Sequence, residues 1–471
     1  MASTIHFAGD GDLFVLENGG ILFSESRQEL YTCNEPATFI WCCLEEHLSP
    51  QEIATAYASA FQISQAEAAR LVIDVLQQWQ GLGYILGLDV PATSEIDLIT
   101  ALGRLLTNPA LRKDFETSAL KTADQLSVRA SDREAFLRLS PEALELQARA
   151  LENRKLARRH GVTEKGENAV LLSLSPNQLQ DAASARLTNL SSHWVQRHYR
   201  LLTTTFRIRF ATRAQDEIVH PTLAHLEIPE PPEIDVMLDL LELESGHVVM
   251  EDLVPLGHCI RLEQLAPIAK KSVRQLATGR YPYFLQIHAG VLCDGEKCLL
   301  LPGASGSGKT TLTAALARSG FQYLSDEIAL LEEDTMHVSP LPISLTVKQD
   351  GVDVLAPFYP ELPDLPSHKR EDHHIVRYLA PVSTPVSLPL KTYPIGWIIF
   401  PRFSPHAATL LRPLNKAEAL HRLMGECLLL PEPLTKRKVR NMVQWMREIQ
   451  CFDLPMASLG EAVELVRRLC L

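Results

Sequence analysis

Residues 303–310 read Gly-Ala-Ser-Gly-Ser-Gly-Lys-Thr, with Thr311 next, and fit G-x-x-x-x-G-K-[ST] without a mismatch. Glycines at 303, 306 and 308 free the backbone to turn N–H groups inward, so Gly303, Ala304, Ser305, Gly306, Ser307 and Gly308 are expected to cradle phosphate oxygens. In such a loop Lys309 neutralises the β- and γ-phosphates, and the Thr310 hydroxyl sits on the bridging magnesium ion. The nucleotide site then includes Thr311. Seventeen residues beyond Lys309 stand Asp326 and Glu327. Two carboxylates there divide the labour of phosphoryl transfer: one helps hold magnesium, the other takes a proton from an attacking hydroxyl. The spacing is short for a transporter-type ATPase, and neither an LSGGQ signature nor an N-K-x-D guanine reader is present. Charge develops on the transferring oxygens, so a further cation is needed, and Arg377, Arg370 and Lys348 are the candidates.

These groups need a strand before the loop and a helix after it. Residues 297–301 are an apolar run suited to a buried strand, and Leu312, Ala315 and Leu316 recur at helical spacing until Gly320 offers a cap. Residues 321–324 form a short apolar piece leading into the acidic pair. Upstream, 205–210 alternates as a half-buried strand does, and 262–278 reads as helix. Residues 356–394 are proline-rich and hold His368, Lys369, Arg370, His373, His374 and Arg377; they read as a long surface loop, its histidines solvated rather than metal-bound.

The N-terminal part has a different pattern. Short strands are expected at 13–16, at 20–24 after an Asn18-Gly19 turn, and at 29–33. Three helices follow, from near Asn34, from the capping box Ser49-Pro50-Gln51-Glu52, and from Ser64 to Gly81. In the third, Ala68, Leu71, Val72, Val75, Leu76 and Trp79 form one apolar stripe, the mark of a packed core. A strand at 84–86 would close a small winged helix. Residues 87–94 read as a linker. Beyond it 95–160 is helical, with Leu98, Leu102, Leu105 and Leu106 in register and a second helix over 141–160 whose basic last turn suits the helix dipole; 161–168 is another linker.

Composition narrows the class. Net charge is −12 and hydrophobic residues make up 46%, which disfavours nucleic acid as a partner. Nine scattered cysteines without a C-x-x-C pair suit a reducing compartment and indicate no zinc. No basic-then-apolar start and no apolar run near eighteen residues is present, so the expectation is a cytoplasmic protein without a membrane partner.

Two resemblances sharpen these readings. The segment LYTCNEPATFIWCCLEEHLSPQEIATAYASAFQISQAEAARLVIDVLQQWQGLGYI resembles the PqqD family of peptide-binding modules from ribosomal natural-product pathways. By that resemblance a leader peptide adds as a strand near 29–33 and packs against the helix at 64–80. The segment IHAGVLCDGEKCLLLPGASGSGKTTLTAALARSGFQYLSDEIALLEE looks like the catalytic segment of HPr kinase relatives, whose fold is shared with phosphoenolpyruvate carboxykinases. WIIFPRF at 397–403 and the Leu-Asn-Lys-Ala-Glu-Ala run at 414–419 extend that likeness. It implies Asp326 as general base, Glu327 with Thr310 at the metal, and His288 orienting the phosphoryl group beside Lys309. Asp-Asp is usual where Asp326-Glu327 stands, and the signature for phosphorolysis is absent, so a kinase is implied rather than a kinase/phosphorylase.

The combined expectation is an α/β multidomain chain: a PqqD-like winged helix-turn-helix at 1–90, a helical spacer or docking segment at 95–165, and an HPr kinase/phosphoenolpyruvate carboxykinase-like P-loop α/β domain at 190–471. ATP and Mg2+ are the expected cofactors, and the expected acceptor is a Ser/Thr hydroxyl of a precursor or leader peptide. The alternative is an ATP-hydrolysing peptide chaperone that leaves its client unmodified; a homo-oligomer is left open.

Overall fold

The computed structural model describes residues 5–7, 10–88, 195–381, 390–430 and 433–470, most of 101–141, and positions 144, 180, 181 and 184. Its contacts divide it into two compact units, Met1–Asp12 with Glu35–Glu164, and Leu13–Asn34 with Lys165–Leu471.

From the N-terminus run β1 (His6–Phe7), β2 (Gly11–Leu16), β3 (Gly19–Ser24) and β4 (Glu29–Asn34), then α1 (Glu35–Glu45), α2 (Pro50–Phe61), α3 (Gln65–Gly81) and β5 (Ile85–Leu86). The caps read from sequence form. Ser49 and Glu52 exchange both bonds of a capping box with Pro50 at the first helical position, and the Ser64 side chain accepts from Glu67 N. Ala68, Val72, Leu76 and Trp79 are buried, and the Trp79 ring meets Trp41 edge-on at 5.0 Å. One expectation changes: β5 pairs with β1, not with the sheet β2-β3-β4. Further on, α4 (Pro109–Thr117), α5 (Ala119–Gln125) and α6 (Ala130–Leu137) share a small core around Leu105, Phe115 and Phe136. The helix expected over 141–160, its basic turn and the linker 161–168 lie almost wholly outside the described residues, as do Leu98 and Leu106.

The larger unit begins with a five-stranded sheet, β10-β9-β8-β7-β6, made of β6 (Val195–Leu201), β7 (Thr204–Phe210), β8 (Val236–Leu243), β9 (Gly246–Glu251) and β10 (Val254–Cys259). The alternation at β7 has its expected result. Phe206, Ile208 and Phe210 are buried, while Arg209 on the other face grips its parallel register partner Asp239 through Nε and Nη2 at 2.5 and 2.7 Å. Two helices, α7 (Arg213–Leu223) and α8 (Leu265–Arg280), pack against each other and this sheet.

After α8 come β11 (Leu285–Ile287), β12 (Ala289–Cys293), β13 (Cys298–Pro302), α9 (Lys309–Arg318), β14 (Gln322–Ser325), β15 (Ala329–Leu331), β16 (Val338–Ser339), β17 (Leu345–Lys348) and α10 (Gln349–Leu355). The chain continues through β18 (Ser367–Lys369), β19 (Ile375–Leu379), β20 (Ile395–Phe403), β21 (Arg412–Pro413), α11 (Lys416–Gly425), β22 (Cys427–Leu429), α12 (Lys436–Met446), β23 (Gln450–Met456) and α13 (Leu459–Cys470). A six-stranded sheet ordered β14-β12-β13-β20-β23-β21 carries the centre, with β13, β20 and β23 parallel. A four-stranded sheet, β16-β15-β11-β22, and a three-stranded one, β17-β19-β18, accompany it.

The proline-rich stretch is more than a surface loop. It supplies β18 and β19, which pair through His368↔Val376, and His368, its ring centroid 5.2 Å from that of Tyr378, is only 3% exposed. Part of it, 382–389, lies outside the described residues.

The larger unit also owns strands from the chain's start. Leu16, Ile21 and Phe23 belong to the same apolar core as Ile398, Leu420 and Met442. Gln28 bonds Leu434 in both directions at 2.8 Å, Glu25 accepts from Lys436 N at 3.0 Å, and Arg447 reaches Val15 O at 3.0 Å. Among the described residues no helix is long and apolar enough to cross a membrane, and no His/Cys/Asp/Glu group could hold a metal ion by itself.

Candidate functional site around the glycine-rich loop

Strand β13 delivers the loop and α9 receives it. Gly306 and Gly308 take φ of +90° and +86°, a conformation that side chains resist, and Gly308 caps α9. A Cβ on Gly308 would also stand 2.4 Å from Met456 Cε. The backbone conformation is what favours glycine at 308, since the flexible end of Met456 can move aside. The loop is pinned by Phe403 N donating to Ser307 O at 2.9 Å and by Lys348 Nζ donating to Ser305 Oγ at 2.9 Å.

Lys309, at the start of α9, is 6% exposed, with Nζ 2.7 Å from His288 Nε2 and 3.5 Å from Asp326 O. Burial pulls its pKa down, and the charges of Asp326, Glu327 and Glu426 oppose that. Asp326 follows β14 and is 1% exposed. Burial pushes its carboxyl up from the usual range, Lys309 draws it back, and the Thr310 hydroxyl faces it. Its Oδ1 is buried without a hydrogen-bond partner, as is Ser307 Oγ in the loop. Orphaned acceptors of this kind are costly unless a ligand or water satisfies them.

His288 links β11 to β12. Its N–H donates to Glu426 O at 2.9 Å, and its Nδ1 lies 3.7 Å from Glu426 Oε2.

Glu327 stands apart from the expected metal role. Its Oε1 accepts from Lys270 Nζ at 3.1 Å and Thr346 Oγ1 at 2.8 Å, and Oε2 is 3.4 Å from Arg274 Nε. Burial alone would raise this carboxyl, but Lys270, Arg274 and Thr346 outweigh it and hold the group well below the usual range. Glu327 thereby ties Lys270, Arg274 and Thr346 together. Arg377 also departs from expectation. Its Nε donates to Leu365 O at 3.1 Å and its Nη1 to Gln349 Oε1 at 2.6 Å, tying α10 to the segment before β18. The reason lies in register: Thr346 pairs with Tyr378, so Arg377, one residue earlier, points to the opposite face from the Thr346–Glu327 cluster. Arg370 pairs with Asp372 at 3.3 Å. The cations near Glu327 and the loop are instead Lys270, Arg274 and Lys348.

Lys270, Arg274, Thr346 and Glu426 went unmarked in the sequence reading. Lys270 did leave a signal. It falls in the helical stripe Ala266, Lys270, Val273, Ala277, where an apolar residue belongs, and it is 4% exposed with its Nζ 4.8 Å from the Tyr378 ring centroid. Glu426 left none, being one acidic residue after an amphipathic helix.

Residues 19–85, from β3 through β5, match the family model described as Coenzyme PQQ synthesis protein D (PqqD). No curated protein matches the chain. A peptide partner is consistent with this match, since PqqD domains bind precursor peptides. The chain is thus an α/β multidomain protein whose residues 19–85 form a PqqD-like domain.

Proposed function

We propose that the chain is a magnesium- and ATP-dependent kinase that phosphorylates a Ser/Thr hydroxyl on a peptide held through its PqqD-like domain. One observation carries the reading: a buried carboxyl, Asp326, with an unpartnered oxygen, next to Lys309 and Thr310 where a left-handed glycine loop enters a helix. Its raised pKa suits a proton acceptor. In this reading Lys309 leaves His288 for the phosphates, and Asp326 Oδ1 takes the proton as the acceptor oxygen bonds to phosphorus and ADP departs. The Thr310 hydroxyl, with phosphate oxygens, would hold magnesium. Bound there, the ion would neutralise charge on the transferring group. Glu327 fixes Lys270 and Arg274 beside the site.

The test is incubation of the full chain with γ-labelled ATP and Ser/Thr-containing precursor peptides that it is shown to bind. Label on the peptide, lost in Lys309→Ala, is the expected result. Asp326→Asn should keep nucleotide binding and lose transfer by roughly a hundredfold or more. Free phosphate with an unmodified peptide would instead support the chaperone alternative, and near-normal transfer by Asp326→Asn would remove the base assignment.

A further inference from the structure

Glu426 stands where two elements meet. It caps α11, its N–H reaching Arg422 O and Leu423 O, and it directly precedes β22, whose Cys427 pairs with Ile287 of β11. The register therefore sets Glu426 opposite His288, and the bond from His288 N to Glu426 O at 2.9 Å fixes the two backbones. The ring of His288 lies between two charged groups, Lys309 Nζ at 2.7 Å from Nε2 and Glu426 Oε2 at 3.7 Å from Nδ1.

Lysine has donors and no acceptor, so Nε2 must accept and the ring proton belongs on Nδ1, toward Glu426. When Lys309 turns to a phosphate, its hold on that tautomer ends. Only the carboxylate remains to keep the proton on Nδ1.

We propose that Glu426 is the positioning residue for His288, holding the neutral ring with its proton on Nδ1 and its Nε2 turned as an acceptor toward Lys309 and the group bound there. The arrangement follows the general pattern in which one ring nitrogen's role is set by the partner of the other. Both side chains are about three-tenths exposed or less, so the carboxylate is only partly screened. Its consequence for phosphoryl transfer rests on the kinase reading; its consequence for the ring does not.

Two measurements separate these. Nitrogen-15 spectra of the full chain labelled at histidine, with His288→Asn to identify the signal, should show the Nδ1–H tautomer in the wild type. In Lys309→Ala, where no lysine holds Nε2, adding Glu426→Ala should shift the signal toward the Nε2–H form, and Glu426→Gln in its place, whose amide oxygen can still accept, should restore it. In the transfer assay Glu426→Ala should lower kcat by roughly tenfold or more with KM for ATP within about threefold, again restored by Gln. An unchanged tautomer on adding Glu426→Ala to Lys309→Ala overturns the proposal whatever the kinetics. A shifted tautomer there, with no transfer by the wild-type chain, leaves it standing and removes the kinase reading instead. The carboxylate makes none of the backbone bonds that lock this corner, so Ala is expected to fold; Glu426→Met, close in length and apolar, replaces it if it does not.

Discussion

Cutting the chain at the apparent end of its first domain should damage the part left behind. A fragment starting at residue 91 loses Leu16, Ile21 and Phe23, all at most 2% exposed and all in the core of the unit that carries the candidate site. Each such side chain contributes about 1.5–3 kcal/mol, so their removal costs about 5–9 kcal/mol. Loss of the two-way Gln28–Leu434 bond adds about 1–3 kcal/mol. The total is comparable to the whole stability of a typical domain, about 5–15 kcal/mol. The fragment should therefore aggregate or unfold without cooperativity. Point variants in the full chain read the same effect locally. Phe23→Ala should cost about 3–5 kcal/mol. Its loss should appear by hydrogen exchange in peptides spanning 434–446. Phe115→Ala, an equal deletion in the core of α4 to α6, should leave those peptides protected. A soluble, monodisperse fragment 91–471 that unfolds cooperatively within about 2 kcal/mol of the full chain's larger unit would refute the reasoning.

Acid should weaken this unit through His225, whose Nε2 lies 2.8 Å from Pro342 O and whose pKa burial pulls down to about 4. A histidine held neutral in the folded state loses stability as pH falls below its unfolded value near 6.5, so about 2 kcal/mol should go between pH 7 and pH 5. Urea unfolding of His225→Gln at the two pH values should show a flatter response, and an unchanged slope would exclude this histidine as the cause. The Lys270–Glu327 pair should couple: Lys270→Met alone should cost about 2–4 kcal/mol by leaving Glu327 short of a partner, and Lys270→Met with Glu327→Met should recover part of it in a double-mutant cycle. Because Glu327 has a depressed pKa, its contribution is present above the unfolded value near 4.3 and is lost as pH falls below it.

Local chemistry was legible where one residue type has one use. The capping box at Ser49, the N-cap at Ser64, the alternation of β7 and the left-handed glycines of the loop all form as their residues dictate. Side-chain direction was not legible, because it depends on pairing across distant segments. Glu327 and Arg377 carry the charges their expected roles need. Thr346↔Tyr378 register nonetheless turns Arg377 toward Leu365 and Gln349, while Lys270 of α8 captures Glu327 from 57 residues away. Neighbouring proline and histidine likewise gave no hint that 367–369 joins a sheet, since the bonds that make it a strand come from β19.

The grouping of the N-terminal strands was not legible for a related reason. Helical periodicity and capping place α1 to α3 beside β3 and β4 in one sequence segment, and the family match over 19–85 groups them likewise. Contacts group the strands differently, with the larger unit. The helix α11 shows what that allows. At its start Asn415 caps Ala417 N at 2.9 Å, and a Cβ placed on Gly19 of β3 would lie 3.3 Å from Ala417 Cβ; at its end stands Glu426, against His288. Ten residues of helix, about 15 Å, separate a strand of the PqqD-like domain from the histidine beside Lys309. A tether raises only the local concentration of a peptide and leaves its orientation free. A strand built into the core of the site's own unit also fixes orientation, so a peptide engaging β3 and β4 would enter at a set distance and angle from Asp326. Lengthening the linker at 87–94 should then change transfer little, whereas loosening the Gln28–Leu434 attachment should reduce it.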